Sequence, residues 1–176
     1  MNVTLVMVQS VDGITVPTHG SSGWISPEDA DHFRKLKSRA RVLVMGKNTY
    51  EAVKPMLIPT ANLRRVIMTH DPNAYTGDEI PGYVEFTDES PDALVNRLSE
   101  EGHTSLLLAG GSETNLAFLE KKLITDCFIT IEPRFFGRGK GLFADMETDV
   151  SLKLLDTKQL NDQGTIMLHY RILYDH

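Results

Sequence analysis

The chain has one cysteine, one tryptophan and no long run of apolar residues. Cys127 alone cannot form an internal disulfide, so a small secreted scaffold held together by disulfides is excluded. No apolar stretch approaches the roughly 20 residues needed to cross a bilayer. The first residues, MNVTLVMVQSVDG, also lack the basic start and apolar core of a signal peptide. We therefore expect a cytoplasmic protein with no membrane partner.

Positive charge is also in deficit. The 18 Lys and Arg residues are outnumbered by 24 Asp and Glu residues, which gives a formal net charge of -6 at pH 7. Such a chain has no surplus of cations to neutralise phosphate backbones, so we expect no nucleic-acid partner. The 176 residues, 41% of them hydrophobic, are enough for one buried core. With no repeat and no linker, the sequence predicts a single domain over residues 1–176.

Short apolar runs that end in turn-forming residues predict buried central strands. They occupy residues 3–9, 41–45, 65–68 and 105–109. Helical stretches alternate with them, at residues 27–39, 49–53, 91–101 and 112–123. This alternation predicts an α/β fold in which crossover helices join parallel strands.

The order of elements changes after residue 123. Further strands follow with no helix between them, at residues 126–131, 150–160 and 165–173, and residues 161–164 resemble the loop of an antiparallel hairpin. The stretch 71–82, rich in Pro, Gly and Asp, is predicted to be a surface loop. We therefore expect a mixed, mostly parallel central sheet flanked by helices, with an antiparallel hairpin at the C-terminus.

Glycine or small polar residues follow several of the predicted strands. The segments are Gly46-Lys47-Asn48-Thr49, Thr69-His70 and Gly110-Gly111-Ser112-Glu113-Thr114. In open α/β sheets, ligands bind outside the carboxyl ends of the strands, where helix N-termini present unpaired N–H groups to anions. Any one segment alone is better explained as a tight turn, but together they favour a nucleotide. The Walker A and Rossmann glycine patterns are both absent.

Asp29 lies in the first turn of a predicted helix and has two interpretations. Ser26 is a predicted N-cap and Pro27 fits the first helical position, so Asp29 could be the acid of a capping box. Alternatively, Asp29 shares an apolar stripe with Phe33 and Leu36, within roughly 60° of arc on the helix surface. A carboxyl group at the mouth of an apolar pocket can bind a polar heterocycle or supply a proton. The sequence leaves both interpretations open.

Residues 133–143 form a segment with three glycines and three cations, Arg134, Arg138 and Lys140. Such a segment is either a phosphate-binding loop or a solvated surface hairpin. The scattered histidines have no metal-ligand spacing, so we predict no metal site. Cys127 falls within an apolar strand, where a core thiol is expected rather than a nucleophile.

Several motifs, in order along the chain, resemble the dihydrofolate reductase superfamily. They are residues 10–13 after the first strand, Trp24 with Pro27, Asp29 and Phe33, the run MGKNTYE at residues 45–51, and Gly110-Gly111. The resemblance covers nearly the whole chain and implies the three-layer dihydrofolate reductase-like fold. It also implies an NADPH cofactor, with NADH as the alternative, and a cis peptide between Gly110 and Gly111.

The resemblance further implies that the segments after the strands bind the cofactor. The expected residues are Gly46, Lys47, Asn48, Thr49, Thr69, Gly110, Gly111, Ser112, Glu113 and Thr114. Cations near the expected adenosine end could receive a 2′-phosphate, and they are Lys47, Arg64, Arg65 and His70.

Some residues are similar to the folate-reducing branch of this superfamily. Asp29 matches its active-site acid, Phe33 its ring-packing aromatic residue and Thr130 the hydroxyl that supports the acid. Against that branch, Asn115 stands where an aromatic residue is usual, and Leu63 stands where an arginine holds the folate tail.

Other residues are similar to the second branch, the reductase domain of the riboflavin-pathway bifunctional deaminase-reductase. These are residues 24–26, residues 110–115, and Pro133 with Gly137, Gly139, Leu142 and Phe143. The acidic Asp-Asp-Pro segment usual in that branch is replaced here by residues 50–55.

The leading hypothesis is an NADPH-dependent reductase of the 5-amino-6-(5-phosphoribosylamino)uracil type. The alternatives are a dihydrofolate reductase and a non-catalytic nucleotide-binding module. Asp29 and Thr130 are the expected catalytic residues, and the expected substrate-binding residues are Val8, Trp24, Phe33 and Asn115. A homodimer is expected from the resemblance.

Overall fold

The computed structural model of the protein describes residues 1–19, 23–147 and 149–174. The strands described are β1 (Asn2–Ser10), β2 (Val16–Pro17), β3 (Val42–Gly46), β4 (Arg64–Met68), β5 (Val84–Thr87), β6 (Ser105–Leu108), β7 (Asp126–Glu132), β8 (Gly139–Lys140), β9 (Ser151–Gln159) and β10 (Ile166–Leu173). The α-helices described are α1 (Pro27–Arg39), α2 (Lys47–Val53), α3 (Pro91–Glu100) and α4 (Ser112–Glu120). Short 3₁₀ turns cover Lys54–Met56 and Pro72–Tyr75.

The central sheet has the strand order β5-β4-β3-β6-β1-β7-β10-β9. Neighbours from β5 through to β7 pair in parallel, whereas β10 pairs antiparallel with both β7 and β9. The predicted mixed, mostly parallel sheet and its C-terminal hairpin are therefore confirmed. The short strands β2 and β8 form a separate antiparallel pair.

Strand β5 was not predicted. It has only four residues, and its half-buried Glu85 forms ion pairs with Arg64 and Arg97 rather than packing in an apolar core. Because Glu85 interrupts so short a run, Val84 and Phe86 do not form an apolar stretch that can be recognised as a strand from the sequence.

Helices α1, α3 and α4 begin at the predicted residues, whereas α2 begins at Lys47, two residues before its predicted start. Ser26 caps α1 and Ser90 caps α3, and a proline follows each cap. Helix α4 ends at Glu120, earlier than predicted, because the chain turns at Lys122, whose φ of 54° lies in the left-handed region.

Helices pack on both faces of the sheet and create three layers. On one face, Leu94 and Leu98 of α3 and Phe118 of α4 are fully buried against β1 and β6. On the other face, Phe33 and Leu36 of α1 pack with Leu43, Met45 and Tyr50. Cys127 is buried in the first of these clusters, as predicted, and burial raises the pKa of its thiol to about 11.

The parallel pairing brings the carboxyl ends of β3, β4, β6, β1 and β7 to one edge of the sheet. The segments that follow these strands are the ones predicted to carry the site, so the topology brings them together. Within the described residues, every helix is too short or too polar to traverse a lipid bilayer.

Candidate functional site

A cleft of about 740 Å³ opens at this edge of the sheet, between α1, α2 and the start of α4. Its volume falls within the range of roughly 300–1,000 Å³ that is typical of small-molecule sites. Most of the predicted site residues line it, namely Val8, Asp29, Phe33, Gly46, Lys47, Asn48, Thr49, Thr69, Gly110, Gly111, Ser112, Glu113 and Thr114. The fold thus brings residues from distant parts of the chain into one site.

Three predicted site residues lie behind the lining of the cleft. The ring of Trp24 packs edge-to-face against Phe136, with 5.2 Å between ring centroids. Asn115 is fully buried and donates a hydrogen bond from Nδ2 to the carbonyl of Leu142 at 2.8 Å. Trp24 and Asn115 therefore support the surrounding loops, and this placement gives no support to a direct substrate contact by either. Thr130 is also buried, but it reaches the cleft through a hydrogen bond with Asp29.

The glycine segments after β3 and β6 are in direct backbone contact. The N–H of Gly46 donates to the carbonyl of Gly110 at 2.8 Å. A Cβ on Gly46 would lie 2.4 Å from Oγ1 of Thr114, so any side chain here would force the Thr114 hydroxyl to move. Gly110 has a φ of 92°, which favours glycine, and the peptide between Gly110 and Gly111 is cis, as the resemblance implies.

Helices α2 and α4 both begin immediately after these glycines. Gly46 and Gly111 are their N-caps, and neither helix start has a side-chain capping bond. The first N–H groups of an α-helix have no acceptor within the helix, so these donors are available to a ligand. Ser112 and Thr114 of α4 and Lys47 of α2 line the cleft beside them. This arrangement fits an anionic group such as a phosphate.

The carboxyl group of Asp29 is not the capping-box partner of Ser26. Oγ of Ser26 accepts a hydrogen bond from the Asp29 N–H at 3.3 Å, which is the expected first half of the box. The second half is different, because the Ser26 N–H donates to Oε1 of Glu132 at 2.8 Å. The side chain of Asp29 is therefore left to face the cleft.

Burial raises the pKa of Asp29 above that of a free aspartate. The hydrogen bond from Thr130 acts in the opposite direction, and the negative charge of Glu132 raises the pKa further. Asp29 is only 9% exposed, so solvent screens these interactions little. A carboxyl group in this setting holds its proton to higher pH and can donate it to a bound ligand.

Two further cations line the cleft: Arg65, which was expected near the adenosine end of the cofactor, and Lys37, which was not predicted. Arg65 is 4% exposed and donates to the carbonyl of Ile58 at 3.0 Å and to Oγ1 of Thr60 at 3.1 Å. The Nζ of Lys37 lies 4.7 Å from the ring centroid of Phe33, and burial, followed by the charge of Arg65, lowers the pKa of Lys37. Among the described residues, neither cation forms an ion pair with a carboxylate. The spacing of Asp29, Phe33 and Lys37 at i, i+4 and i+8 is a signal that could have revealed Lys37.

The other candidate cations divide between the cleft and the outer surface. Lys47, His70 and Lys140 line the cleft. Arg64 instead forms ion pairs with Glu85 and Glu101, so it is not free to receive a phosphate. Arg134 and Arg138 do not line the cleft.

Residues 1–166 match the family described as RibD C-terminal domain. The chain is also similar to the uncharacterized protein YwjB of Bacillus subtilis (strain 168). The two are 27% identical over 171 residues, which cover 94% of this chain and 95% of that protein.

Several solved structures share the fold. A putative riboflavin biosynthesis protein from Shewanella sp. PV-4 matches with a TM-score of 0.81 and 22% identity, over 99% of this chain and 100% of that one. The diaminohydroxyphosphoribosylaminopyrimidine deaminase/5-amino-6-(5-phosphoribosylamino)uracil reductase of Thermotoga maritima matches with a TM-score of 0.77 and 19% identity, over 98% of this chain but 56% of that one. Dihydrofolate reductase from Enterococcus faecalis, complexed with NADP(H), matches with a TM-score of 0.69 and 16% identity, over 97% of this chain and 96% of that one. The predicted dihydrofolate reductase-like fold is confirmed.

The raised pKa of Asp29 predicts a pH-dependent change in stability for Asp29→Asn. The folded protein binds this proton more tightly than the unfolded chain, so ionising Asp29 destabilises the fold as pH rises from the ordinary aspartate pKa of about 3.9 to the raised value. Asn cannot ionise, so the Asp29→Asn variant should not lose stability in this way. The free energy of unfolding of the variant should therefore exceed that of the wild type at neutral pH. Urea denaturation across a pH series measures the difference, which should vanish in acid. The exposed control Asp162→Asn should show no such trend, and a difference for Asp29→Asn that is independent of pH would contradict the assignment.

Proposed function

The chain belongs to the RibD C-terminal domain family, and on that premise we propose that it is an NADPH-dependent oxidoreductase. The proposed substrate is a phosphoribosylaminopyrimidine of the 5-amino-6-(5-phosphoribosylamino)uracil type. One observation carries the proposal: a buried acid, Asp29, and the glycine segments at Gly46 and Gly110 open into the same cleft. A proton donor and a phosphate-binding backbone are thus within reach of one bound pair of molecules.

The glycine segments fit the diphosphate of a dinucleotide. The absence of a Cβ at Gly46 leaves Thr114 and the uncapped first turn of α4 close to the end of β3. The N–H groups at the starts of α4 and α2, with the hydroxyls of Thr49 and Thr114, would hold the phosphates. Thr69 would lie at the adenosine end, and Lys47 and His70 are the cations that would favour NADPH over NADH. When bound, the cofactor supplies the hydride.

Asp29 would orient the substrate ring and supply the proton. Opening of the ribose ring breaks its C1′–O4′ bond and moves the proton of the glycosidic N–H to O4′, which leaves a C=N bond. Reduction to ribityl then adds a hydride to the carbon of that bond and a proton to its nitrogen, so an acid is needed beside the acceptor. The raised pKa of Asp29 keeps its proton available at higher pH than an exposed aspartate allows. Thr130 fixes the carboxyl group through its hydrogen bond, while Val8 and Phe33 supply apolar surface for the ring. Solvent then returns a proton to Asp29.

Lys37 and Arg65 support a substrate with an anionic tail. Both cations line the cleft and neither has a carboxylate partner among the described residues. Arg65 is 4% exposed, and a buried cation without a counter-ion is costly, so an anion bound beside it would offset that cost. The phosphate of a phosphoribosyl group meets this requirement.

A folate reductase is the second candidate, and the apolar rim of the cleft favours it. Ile25 and Met56 both line the cleft, yet they are 40% and 72% exposed. Exposed apolar side chains at the mouth of a site suit a ligand with an apolar surface of its own. The aryl group of a folate has such a surface, whereas a ribosyl phosphate does not.

A non-catalytic module is the third candidate, and it would bind the cofactor and turn over neither substrate. For each of these functions we also propose a homodimer.

Titration with NADPH and NADH, followed by nicotinamide fluorescence, tests the proposed function. NADPH should bind more tightly, because Lys47 and His70 line the cleft. Addition of the phosphoribosylaminopyrimidine should then oxidise the cofactor, and dihydrofolate should not. Oxidation with dihydrofolate alone would establish the second candidate, and binding without turnover would establish the module. Failure of both nucleotides to bind would contradict the proposal outright.

Gly46→Ala should weaken NADPH binding. The new methyl group would meet Oγ1 of Thr114 at 2.4 Å and push this hydroxyl out of its place beside the proposed phosphate site. We expect at least about a tenfold increase in Kd, which corresponds to about 1.4 kcal/mol. Gly77→Ala is the matched control, because its Cβ would meet nothing within 4 Å. Equal Kd values for the two variants, with both folded by circular dichroism, would exclude the glycine segment as the cofactor site.

A further inference from the structure

Glu132 is a buried carboxylate that the proposed chemistry does not use. It ends β7, is 3% exposed and forms no ion pair with a lysine or arginine among the described residues. Its oxygens accept hydrogen bonds from the Ser26 N–H at 2.8 Å and from Oγ1 of Thr165 at 2.7 Å. A carboxylate is costly to bury without a cation, and a neutral acceptor would satisfy these same donors.

We propose that Glu132 is a positioning residue for Asp29, holding the first turn of α1 in place and setting a negative charge behind the Asp29 carboxyl group. The inference rests on the proposed function, in which Asp29 donates a proton. A continuous series of hydrogen bonds supports it. Oε1 of Glu132 accepts from the N–H of Ser26, and Oγ of Ser26 accepts from the N–H of Asp29.

Strand β7 therefore holds Asp29 at two points. Thr130 and Glu132 are two residues apart, so their side chains point to the same face of the sheet, toward α1. Thr130 bonds the side chain of Asp29, whereas Glu132 fixes the start of the helix that carries it. One strand, β7, therefore fixes both the backbone and the carboxyl group of Asp29.

The β9–β10 loop supports Glu132 from its other side. Asn161 accepts a hydrogen bond from the Thr165 N–H at 3.0 Å, and its Nδ2 donates to Oε2 of Glu28 at 3.1 Å. Thr165, 1% exposed, in turn donates to Glu132. The loop thus connects Glu132 to α1 through Glu28 as well, and its hydrogen bonds fix the orientation of the Glu132 carboxylate.

The charges around Asp29 leave the effect of Glu132 uncancelled. On α1, Glu28 is exposed and bonded to Asn161, and burial lowers the pKa of His32, which favours its neutral form. The cations Lys37 and Lys140 line the same cleft, but neither lowers the pKa of Asp29, whereas the hydrogen bond from Thr130 does. The negative charge of Glu132 therefore adds to burial in raising the pKa of Asp29.

Glu132→Gln separates position from charge. The amide keeps the size of the side chain, an acceptor for Ser26 and a donor for Thr165, but it carries no charge. We expect the Asp29 carboxyl titration, followed by carbon NMR of protein labelled at aspartate, to move to lower pH. The alkaline limb of kcat/KM should move the same way, so that kcat/KM on that limb falls about threefold while its value in acid is retained.

Further variants distinguish this role from a merely structural one. Glu132→Ala removes the acceptor as well, so kcat should fall at all pH values, and Gln at the same position should rescue it in acid. Glu120→Gln, on the exposed end of α4, makes the same change in net charge and should move neither titration. In an Asp29→Asn background, Glu132→Gln should no longer shift the pH profile.

An Asp29 titration that is unchanged in a folded Glu132→Gln variant would overturn the proposal. The NMR measurement needs no turnover, so it decides the role of Glu132 even if the wild type oxidises no cofactor. In that event the proposed function fails separately.

Discussion

The site depends on one close backbone approach, between the end of β3 and the end of β6. The N–H of Gly46 bonds the carbonyl of Gly110 directly, and no side chain at either glycine separates the two segments. Helices α2 and α4 start from this contact, so it fixes where their uncapped N–H groups lie. The position of the cleft follows from it, because the remaining strands of the parallel sheet end at the same edge.

Asp29 is held from the opposite side of the cleft by strand β7. Thr130 and Glu132 fix the carboxyl group and the helix start respectively, and burial keeps the acid protonated to higher pH. A polar group in this setting reduces the stability of the fold unless its partners are well placed. Several buried polar groups thus position a single acid that faces the cleft. This is the usual pattern of a functional site rather than of a core.

The sequence alone predicted the elements whose signals are local. The apolar runs of β1, β3 and β6, the Ser26-Pro27 start of α1 and the start of α3 at Pro91 are such signals, and the structure confirms them. The partner of the Ser26 N–H could not be predicted, because Glu132 is 106 residues away along the chain. Trp24 and Asn115 were expected to contact a substrate, but the packing of Phe136 and the Leu142 carbonyl place them behind the cleft. Motif spacing identifies which segments meet, whereas contacts across the sheet decide which side chains face the ligand.

The most direct test of this account is the rate of NADPH oxidation by Asp29→Asn in the presence of the phosphoribosylaminopyrimidine. If the cleft combines a cofactor site with an acid, turnover should fall by about 10²–10⁴, the usual contribution of a general acid, while the Kd for NADPH is retained. Turnover equal to that of the wild type, with the cofactor bound as tightly, would contradict the central claim that Asp29 supplies the proton.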